Sequence, residues 1–270
     1  MMNTEKRNPY TTHLDKMSVA EIIRVTNSEN MNSVMAVERA LPEIEKAINL
    51  MIDALKKGGR IYYSGAGTSG RLAVQDAVEC PPTFGADPSL FTAIMAGGKE
   101  RVFSAAESVE DNWELGSSDF LSYPIQSCDV LIGISAAGNA GYVLGAMDAA
   151  KKAGCTVISL TCNKEAKMNY CSDVAIVTDT GPEVLTGSTR MKAGNAQKMV
   201  LNMLSTTSMI KMGGVYENMM VHLRPYNIKI KQRMINIVCE ICKCTQETAE
   251  NLLNKHEWSI EKVIEKENLQ

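Results

Sequence analysis

The sequence lacks an excess of positive charge. Lys and Arg together number 28, against 31 Asp and Glu, which leaves a formal net charge of −3. A protein that binds nucleic acid neutralises a row of phosphates with Lys and Arg side chains. We therefore expect no nucleic-acid partner, although a local group of donors can still hold a small anion.

Long apolar runs are also missing. No stretch approaches the roughly 18 consecutive apolar residues of a membrane-spanning helix, and residues 1–18 contain no apolar segment of signal-peptide length. We expect neither membrane insertion nor export. Five of the eight cysteines lie among apolar residues of predicted strands and helices, where a free thiol packs as a small hydrophobic group. These are Cys80, Cys128, Cys155, Cys162 and Cys171, and they favour a reducing, cytoplasmic compartment.

The spacing of Cys and His does not indicate a metal centre. Cys239, Cys242 and Cys244 form a C-x-x-C-x-C pattern, but no second cysteine pair follows and His256 stands alone. Packing between helices is the better interpretation, and we expect no metal site.

What the sequence has is the composition of an ordinary globular protein. It contains 270 residues, 45% of them hydrophobic and 22% charged, with no internal repeat. Helical spacing of apolar residues predicts two N-terminal helices, at about 17–27 and 32–57. Five short apolar runs follow, at 60–64, 90–95, 129–134, 156–161 and 173–178. Helical segments separate several of them, so we predict a five-stranded, doubly wound parallel α/β sheet.

The chain changes character after this predicted sheet. A long helix is predicted at about 189–211, and three short helices at about 227–242, 245–254 and 259–266. We therefore expect N-terminal helices at 1–57 that pack on the main domain, a sheet domain at 58–225 and a three-helix module at 226–270.

Three loops that follow predicted strands or open predicted helices are rich in glycine and hydroxyl groups. Ligands of parallel sheets bind beyond the carboxyl ends of the strands, and helix N-termini bind anions. The loops are 64–71, with Gly67, Thr68 and Ser69; 133–141, with Ser135 and Asn139; and 186–192, with Ser188, Thr189 and Lys192. They favour a compact sugar phosphate. Tight turns and helix caps are the structural alternative.

A dinucleotide fits this pattern less well. Gly65, Gly67 and Gly70 match G-x-G-x-x-G, but the predicted second strand, about 20 positions later, has no acidic residue to bind a ribose.

Two longer motifs make the resemblance specific. Residues 65–72 (GAGTSGRL) with 79–85 (ECPPTFG), together with 187–194 (GSTRMKAG), strongly resemble the N-acetylmuramic acid 6-phosphate etherases, which have the sugar isomerase (SIS) fold. The similarity runs from about Thr11 to the C-terminal helices. The same motifs are similar, less closely, to the vertebrate glucokinase regulatory protein, which binds sugar phosphates without converting them.

The resemblance implies an activity and two catalytic residues. The family cleaves the D-lactyl ether of N-acetylmuramic acid 6-phosphate during peptidoglycan recycling, without a metal or nucleotide, and gives N-acetylglucosamine 6-phosphate and D-lactate. Its two glutamates match Glu79, assigned as the acid, and Glu110, assigned as the base. The chemistry needs one protonated and one ionised carboxyl group.

The sequence around Glu79 adds two expectations. If one helix runs from Ser69 to Glu79 and ends before Pro81 and Pro82, Glu79 lies at its negative end, where the macrodipole disfavours a carboxylate. Ten helical residues also place Glu79 about 15 Å from Ser69, farther than a hexose phosphate extends. A second subunit could complete the site, so we expect a homodimer with sites near the interface.

One loop departs from the family pattern. Typical etherases read Ala-Ser-Gly-Arg-Thr-Pro where residues 136–141 here read AAGNAG, and Asn195 replaces the usual Thr. We expect retained elimination chemistry with altered affinity or a related substrate. A non-catalytic sugar-phosphate regulator is the alternative function. An aldose–ketose isomerase is a third, against which the Glu-Cys-Pro-Pro segment argues.

Overall fold

A parallel sheet forms the centre of the molecule. A computed structural model describes residues 2–104 and 109–267. The strands of the sheet are β1 (Ile61–Gly65), β2 (Phe91–Met95), β3 (Val130–Ile134), β4 (Thr156–Thr161) and β5 (Val174–Val177). Within the described residues these five are all parallel, in the order β2-β1-β3-β4-β5. The predicted five-stranded parallel sheet is confirmed, with every strand end within one residue of its predicted position.

Helices connect and flank the strands. They are α1 (Val19–Arg39), α2 (Leu41–Lys56), α3 (Gly67–Phe84), α4 (Trp113–Leu121), α5 (Gly141–Lys152), α6 (Lys167–Tyr170), α7 (Lys192–Lys211), α8 (Ile228–Cys242), α9 (Gln246–Lys255) and α10 (Ile260–Lys266). Short 3₁₀ turns lie at Asn3–Glu5, Pro9–Thr11, Leu14–Lys16 and Lys99–Val102, and a small hairpin pairs β6 (Val215–Tyr216) with β7 (Met219–Met220). None of the helices in the described part of the chain is long and apolar enough to cross a membrane.

Adjacent tyrosines show that helices cover both faces of the sheet. Successive side chains of a strand point to opposite faces. Tyr62 is buried in a cluster with Phe120 of α4 and residues of α5. Tyr63 points the other way and donates a hydrogen bond from its hydroxyl to Asp76 of α3. A sheet that is buried on both sides explains why its strands are nearly continuous in apolar residues.

The break between the first two helices differs from its prediction. The predicted helices at about 17–27 and 32–57 leave a break at residues 28–31, but α1 continues through this largely polar segment to Arg39. The chain breaks at Ala40 instead, because Pro42 in the first turn of α2 has no N–H with which to continue α1. Buried Ser33 shows why the polar segment stays helical: its hydroxyl bonds to the carbonyl of Lys192.

The prediction that α3 ends before Pro81 and Pro82 is wrong. The helix continues through both prolines to Phe84, and the N–H of Gly85 still reaches the carbonyl of Pro81 at 2.9 Å. Packing offsets the two lost donors, because the side chain of Phe84 lies against Gly214. The macrodipole acts within the last turn only, so the helix-end position invoked for Glu79 is wrong as well.

The described residues form two compact units. One contains residues 2–77, 89–104 and 109–208, and the other contains 78–88 and 209–267. The second unit has its own core, in which Met234, Val238, Leu253 and Ile260 are fully buried. Cys239, Cys242 and Cys244 pack against this core as partly buried thiols. The domain boundaries at 57 and 225 remain a proposal from the sequence.

Candidate active site

The strand order identifies the edge of the sheet where a ligand is expected. The chain moves outward from β1 to β2 on one side and to β3 on the other, and ligands of such sheets bind at this reversal. Gly65 at the end of β1 is paired with Ile134 at the end of β3. The loop at 64–71 and the loop at 133–141 therefore leave the same edge side by side.

The first loop leaves the N-terminus of α3 open. The helix starts with the bond from the N–H of Gly70 to the carbonyl of Ala66. Among the residues that the structure describes, no acceptor meets the backbone N–H groups of Gly67, Thr68 or Ser69. Three unpaired donors at a helix N-terminus attract an anion.

Glycine is required where this loop turns back on itself. A Cβ atom on Gly65 would lie 2.8 Å from the backbone nitrogen of Gly70, and one on Gly70 would lie 2.7 Å from the carbonyl oxygen of Gly65. Gly67 adopts a φ of +53°, a left-handed conformation that favours glycine. The tight turn that was the structural alternative is thus present, and it is the feature that exposes the three donors.

Thr68 and Ser69 have different surroundings. The hydroxyl of Ser69 is buried and donates to the side-chain oxygen of Gln197 on α7 at 2.9 Å, which joins the two helices. Thr68 instead lines an open cavity of about 320 Å³. The cavity is lined by Thr68, Leu72, Arg190, Gly194, Asn195, Lys198 and Met199.

Two cations of this cavity were not predicted from the sequence. Arg190 and Lys198 are both exposed and line the same cavity as Thr68. Arg190 belongs to the GSTRMKAG motif, and Lys198 lies one turn after Asn195 on α7. A helical projection of the motif and its continuation would have placed Asn195 and Lys198 on one face.

The third loop precedes α7, and a side chain of the protein itself caps the N-terminus of that helix. The carboxylate of Glu183 accepts the N–H of Lys192 at 3.0 Å and the N–H of Ala193 at 2.9 Å. Carbonyl oxygens of the loop accept the next two N–H groups. Burial raises the pKa of Glu183, and these backbone bonds and the nearby Lys192 oppose the rise. The helix starts at Lys192 rather than near Thr189.

Lys192 does not point into open space. Its side chain is 1% exposed, and its ammonium lies 2.5 Å from Oε2 of Glu29 on α1. A direct contact between Lys192 and a substrate would require this ion pair to break. Ser188 and Thr189 are half-buried in the turn before α7, where the N–H of Ser188 bonds to the carbonyl of Leu185.

The second loop is a tight turn whose side chains bond to the protein. Ser135 is buried, and its hydroxyl accepts the N–H of Gly138 at 3.0 Å. The amide oxygen of Asn139 accepts the N–H of Lys167 at the start of α6. Gly138 has a φ of +73°, and a Cβ there would lie 2.4 Å from the Cβ of Ala166. The loop therefore packs closely on the segment before α6.

An N-terminal turn reaches the second and third loops and was not singled out in the sequence. The sulfur of Met2 lies 3.4 Å from the amide nitrogen of Asn139. Thr4 is fully buried and bonds to the side chain of Asn163. A Cβ on Gly187 would lie 3.6 Å from the carboxylate of Glu5. Residues 2–5 therefore lie beside both loops.

The backbone of Glu110 is fixed next to the second loop. Its carbonyl accepts the N–H of Tyr142 in the first turn of α5 at 2.9 Å. The carbonyl of Asp111 approaches Gly141 so closely that a Cβ there would lie 2.4 Å from it. The side chain of Glu110 is exposed. Glu79 is also exposed and lies on the part of α3 that belongs to the second compact unit.

Comparison with known proteins identifies the family. The N-acetylmuramic acid 6-phosphate etherase of Photorhabdus laumondii is 45% identical over 252 residues, which cover 93% of this chain and 84% of that protein. The etherase of a Geobacillus species is 46% identical over 248 residues, 92% of this chain and 84% of that protein. This chain belongs to the N-acetylmuramic acid 6-phosphate etherase family.

More distant comparisons agree on the fold of this etherase-family protein. A family model described as the glucokinase regulatory protein N-terminal SIS domain matches residues 43–151. A phosphoheptose isomerase from Neisseria gonorrhoeae superimposes with a TM-score of 0.56 at 19% identity, over 71% of this chain and 98% of that one. The predicted SIS fold is confirmed.

The structure gives a physical context for the departures from the usual etherase loop. Asn139 stands where the family has Arg, and its amide holds the backbone of Lys167. Gly141 stands where the family has Pro, and here the backbone of Asp111 occupies the space that a larger residue would need. Asn139 and Gly141 thus fit the backbone segments that pack against this loop.

Proposed function

We propose that this protein is a carbon–oxygen lyase that cleaves the D-lactyl ether of N-acetylmuramic acid 6-phosphate. The products are N-acetylglucosamine 6-phosphate and D-lactate, as in peptidoglycan recycling. The observation that carries the substrate is the 45% identity, over 93% of the chain, to a protein named for this activity. The open N-terminus of α3 supports it, because it offers a site for the phosphate.

The phosphate binds at the first loop. The N–H groups of Gly67, Thr68 and Ser69 meet no acceptor in the described residues and point out of a helix N-terminus. The hydroxyl of Thr68 adds a donor, and Arg190 and Lys198 bring positive charge to the cavity that Thr68 lines. Ser135, Asn139, Ser188, Thr189 and Lys192 remain proposed substrate-binding residues.

The two glutamates perform the elimination. Opening the sugar to its aldehyde acidifies the hydrogen on C2, and the carboxylate of Glu110 removes it. The electron pair is first held as the enolate of the C1 aldehyde, and it then forms the C2–C3 double bond as the C3–O bond breaks. The departing lactate oxygen takes a proton from Glu79. Water then adds across the double bond, with its hydroxyl at C3 and a proton at C2. Each positioned acid or base of this kind contributes about 10²–10⁴-fold to the rate.

A homodimer supplies the complete site. The exposed side of α1 carries Met31, Val34 and Met35, which are 50–60% exposed. Large apolar side chains grouped on one helix face are typical of an interface. A second copy on this face fits the expectation that the site lies near a subunit boundary. The cytoplasm is the proposed compartment, because all eight cysteines are free thiols.

Release of D-lactate from N-acetylmuramic acid 6-phosphate tests the activity. The wild-type protein should release one lactate for each substrate consumed. Glu79→Gln should still bind N-acetylglucosamine 6-phosphate but release no lactate, whereas Glu45→Gln, which changes an exposed glutamate of α2, should match the wild type.

Two outcomes would favour the other functions. Sugar-phosphate binding without any lactate release by the wild type would favour the non-catalytic regulator. Conversion of an aldose phosphate to a ketose phosphate without lactate would favour the isomerase.

A further inference from the structure

Arg71 holds the backbone of the segment that precedes Glu110. It lies just after the first turn of α3, two residues beyond Ser69, the last of the three residues with open N–H groups. Its Nε donates to the carbonyl of Val102 at 2.9 Å. Its Nη2 donates to the carbonyl of Arg101 at 3.0 Å and to that of Ser104 at 2.8 Å.

This use of Arg71 differs from the one its place in the sequence suggests. An arginine beside an anion-binding turn would ordinarily be assigned to the phosphate, because its forked donors match phosphate oxygens. Here the fork is directed at three carbonyl oxygens within four residues of backbone. A guanidinium spans several acceptors at once, which a lysine ammonium on a flexible stem does not reproduce.

Packing around Gly97 connects the backbone that Arg71 holds to Val109, the residue before Glu110. A Cβ on Gly97 would lie 2.7 Å from Cγ of Arg101 and 3.3 Å from Cγ2 of Val109. Gly97 therefore lets Arg101 and Val109 lie close together. Val109 also packs against the cluster of α4 and α5. The next carbonyl, that of Glu110, is fixed by the N–H of Tyr142.

We propose that Arg71 is a positioning residue that couples the phosphate-binding turn to the backbone that carries Glu110. The proposal rests on the proposed function, in which this turn binds the phosphate and Glu110 removes the C2 proton. Both groups act on one substrate, so the distance between them must be held closely. A displacement of about 1 Å can cost a factor of about 100 in rate. Arg71 maintains that distance through the carbonyls of Arg101, Val102 and Ser104.

Steady-state kinetics of Arg71→Gln and Arg71→Lys test the proposal. In both variants kcat for lactate release should fall by about 10- to 100-fold, because neither side chain spans the three carbonyls. KM, and the dissociation constant for N-acetylglucosamine 6-phosphate, should change by less than about threefold, a difference under 1 kcal/mol. Arg233→Gln, an exposed change in α8, is the control for loss of a guanidinium.

A second variant keeps the test decisive if Arg71→Gln does not fold. Gly97→Ala should separate Arg101 from Val109 and lower kcat in the same way without raising KM. A large rise in KM with an unchanged kcat in Arg71→Gln, restored by Arg71→Lys, would assign Arg71 to the phosphate and overturn the proposal. Unchanged kinetics in the folded variants would also overturn it. A wild-type protein that releases no lactate would instead contradict the proposed function.

Discussion

Glu183 closes the N-terminus of α7 by accepting the backbone N–H of Lys192 at 3.0 Å. Its second oxygen accepts the next N–H, so the helix carries an internal anion where a ligand would otherwise bind. The N-terminus of α3 carries no such group among the described residues. Of these two similar loops, only the one at 64–71 presents unpaired helix donors, and it is the expected phosphate site.

Removing the hydroxyl of Thr68 should weaken phosphate binding. Thr68→Val keeps the shape of the side chain but deletes a donor from the wall of the cavity. Loss of one hydrogen bond to a charged group costs about 1.5–3 kcal/mol. We expect the dissociation constant for N-acetylglucosamine 6-phosphate, measured by calorimetry, to rise at least about tenfold.

Thr206→Val is the matched control for this substitution. Thr206 is exposed on the same helix as Lys198, near its opposite end, and lies outside the cavity. Its variant should bind the sugar phosphate like the wild type. An equal loss in both variants, or no loss in Thr68→Val, would remove Thr68 from the phosphate site.

Exchange of the C2 hydrogen separates the roles of the two glutamates. Abstraction of this hydrogen by Glu110 precedes loss of lactate, so the recovered, unreacted substrate should take up deuterium from D₂O when the first step is reversible. Glu110→Gln should lower both exchange and lactate release by about 10²–10⁴-fold. Glu79→Gln should lower lactate release by a similar factor and retain exchange, as measured by mass spectrometry.

The opposite pattern would reverse the assignment. If Glu79→Gln abolishes exchange while Glu110→Gln retains it, Glu79 is the base and Glu110 is the acid. Loss of exchange in both variants together with loss of product binding would place both residues in binding rather than proton transfer.

The strands were predictable from sequence because burial on both faces makes each a short, nearly continuous apolar run. Helix ends were harder to predict. Whether α3 stops at Pro81 and Pro82 depends on Phe84, whose packing partner Gly214 is 130 residues away in the sequence. The candidate site was found through glycine and hydroxyl patterns, which mark turns at helix starts. Whether the helix N–H groups after a turn are free depends on groups such as Glu183, which accepts the N–H of Lys192 at the start of α7. No local sequence pattern shows that this buried carboxylate, nine residues earlier, makes that contact.

A charge on the exposed face of α1 should break the proposed dimer. Val34 is 50% exposed between Met31 and Met35. Val34→Glu would place a carboxylate in a buried apolar contact, where an unpaired charge is costly. We expect sedimentation velocity to show a shift from dimer to monomer and lactate release to fall with it. Ile228→Glu, which changes an 87% exposed residue of α8, should leave the dimer intact. A wild type that sediments as a monomer would contradict the dimer.

Because the carboxyl group of Asp76 is buried, it should make the free energy of unfolding decrease as pH rises. It is 5% exposed and accepts hydrogen bonds from Tyr63, Asn202 and Ser205. Burial raises the pKa of Asp76, and the three hydrogen bonds only partly oppose the rise. The folded state therefore binds a proton more tightly than the unfolded state, whose aspartates have a pKa of about 3.9.

The sign of the effect follows from this difference. The contribution of Asp76 to stability is fully present below the unfolded pKa and is lost as pH rises through the raised, folded pKa. Asp76→Asn cannot lose a proton, so its free energy of unfolding relative to wild type should increase as pH rises from about 4 toward neutrality. Urea unfolding across this range measures the difference, with Asp53→Asn as an exposed control on α2. A difference that stays constant with pH would mean that Asp76 binds its proton equally in both states, and that the hydrogen bonds from Tyr63, Asn202 and Ser205 fully compensate its burial.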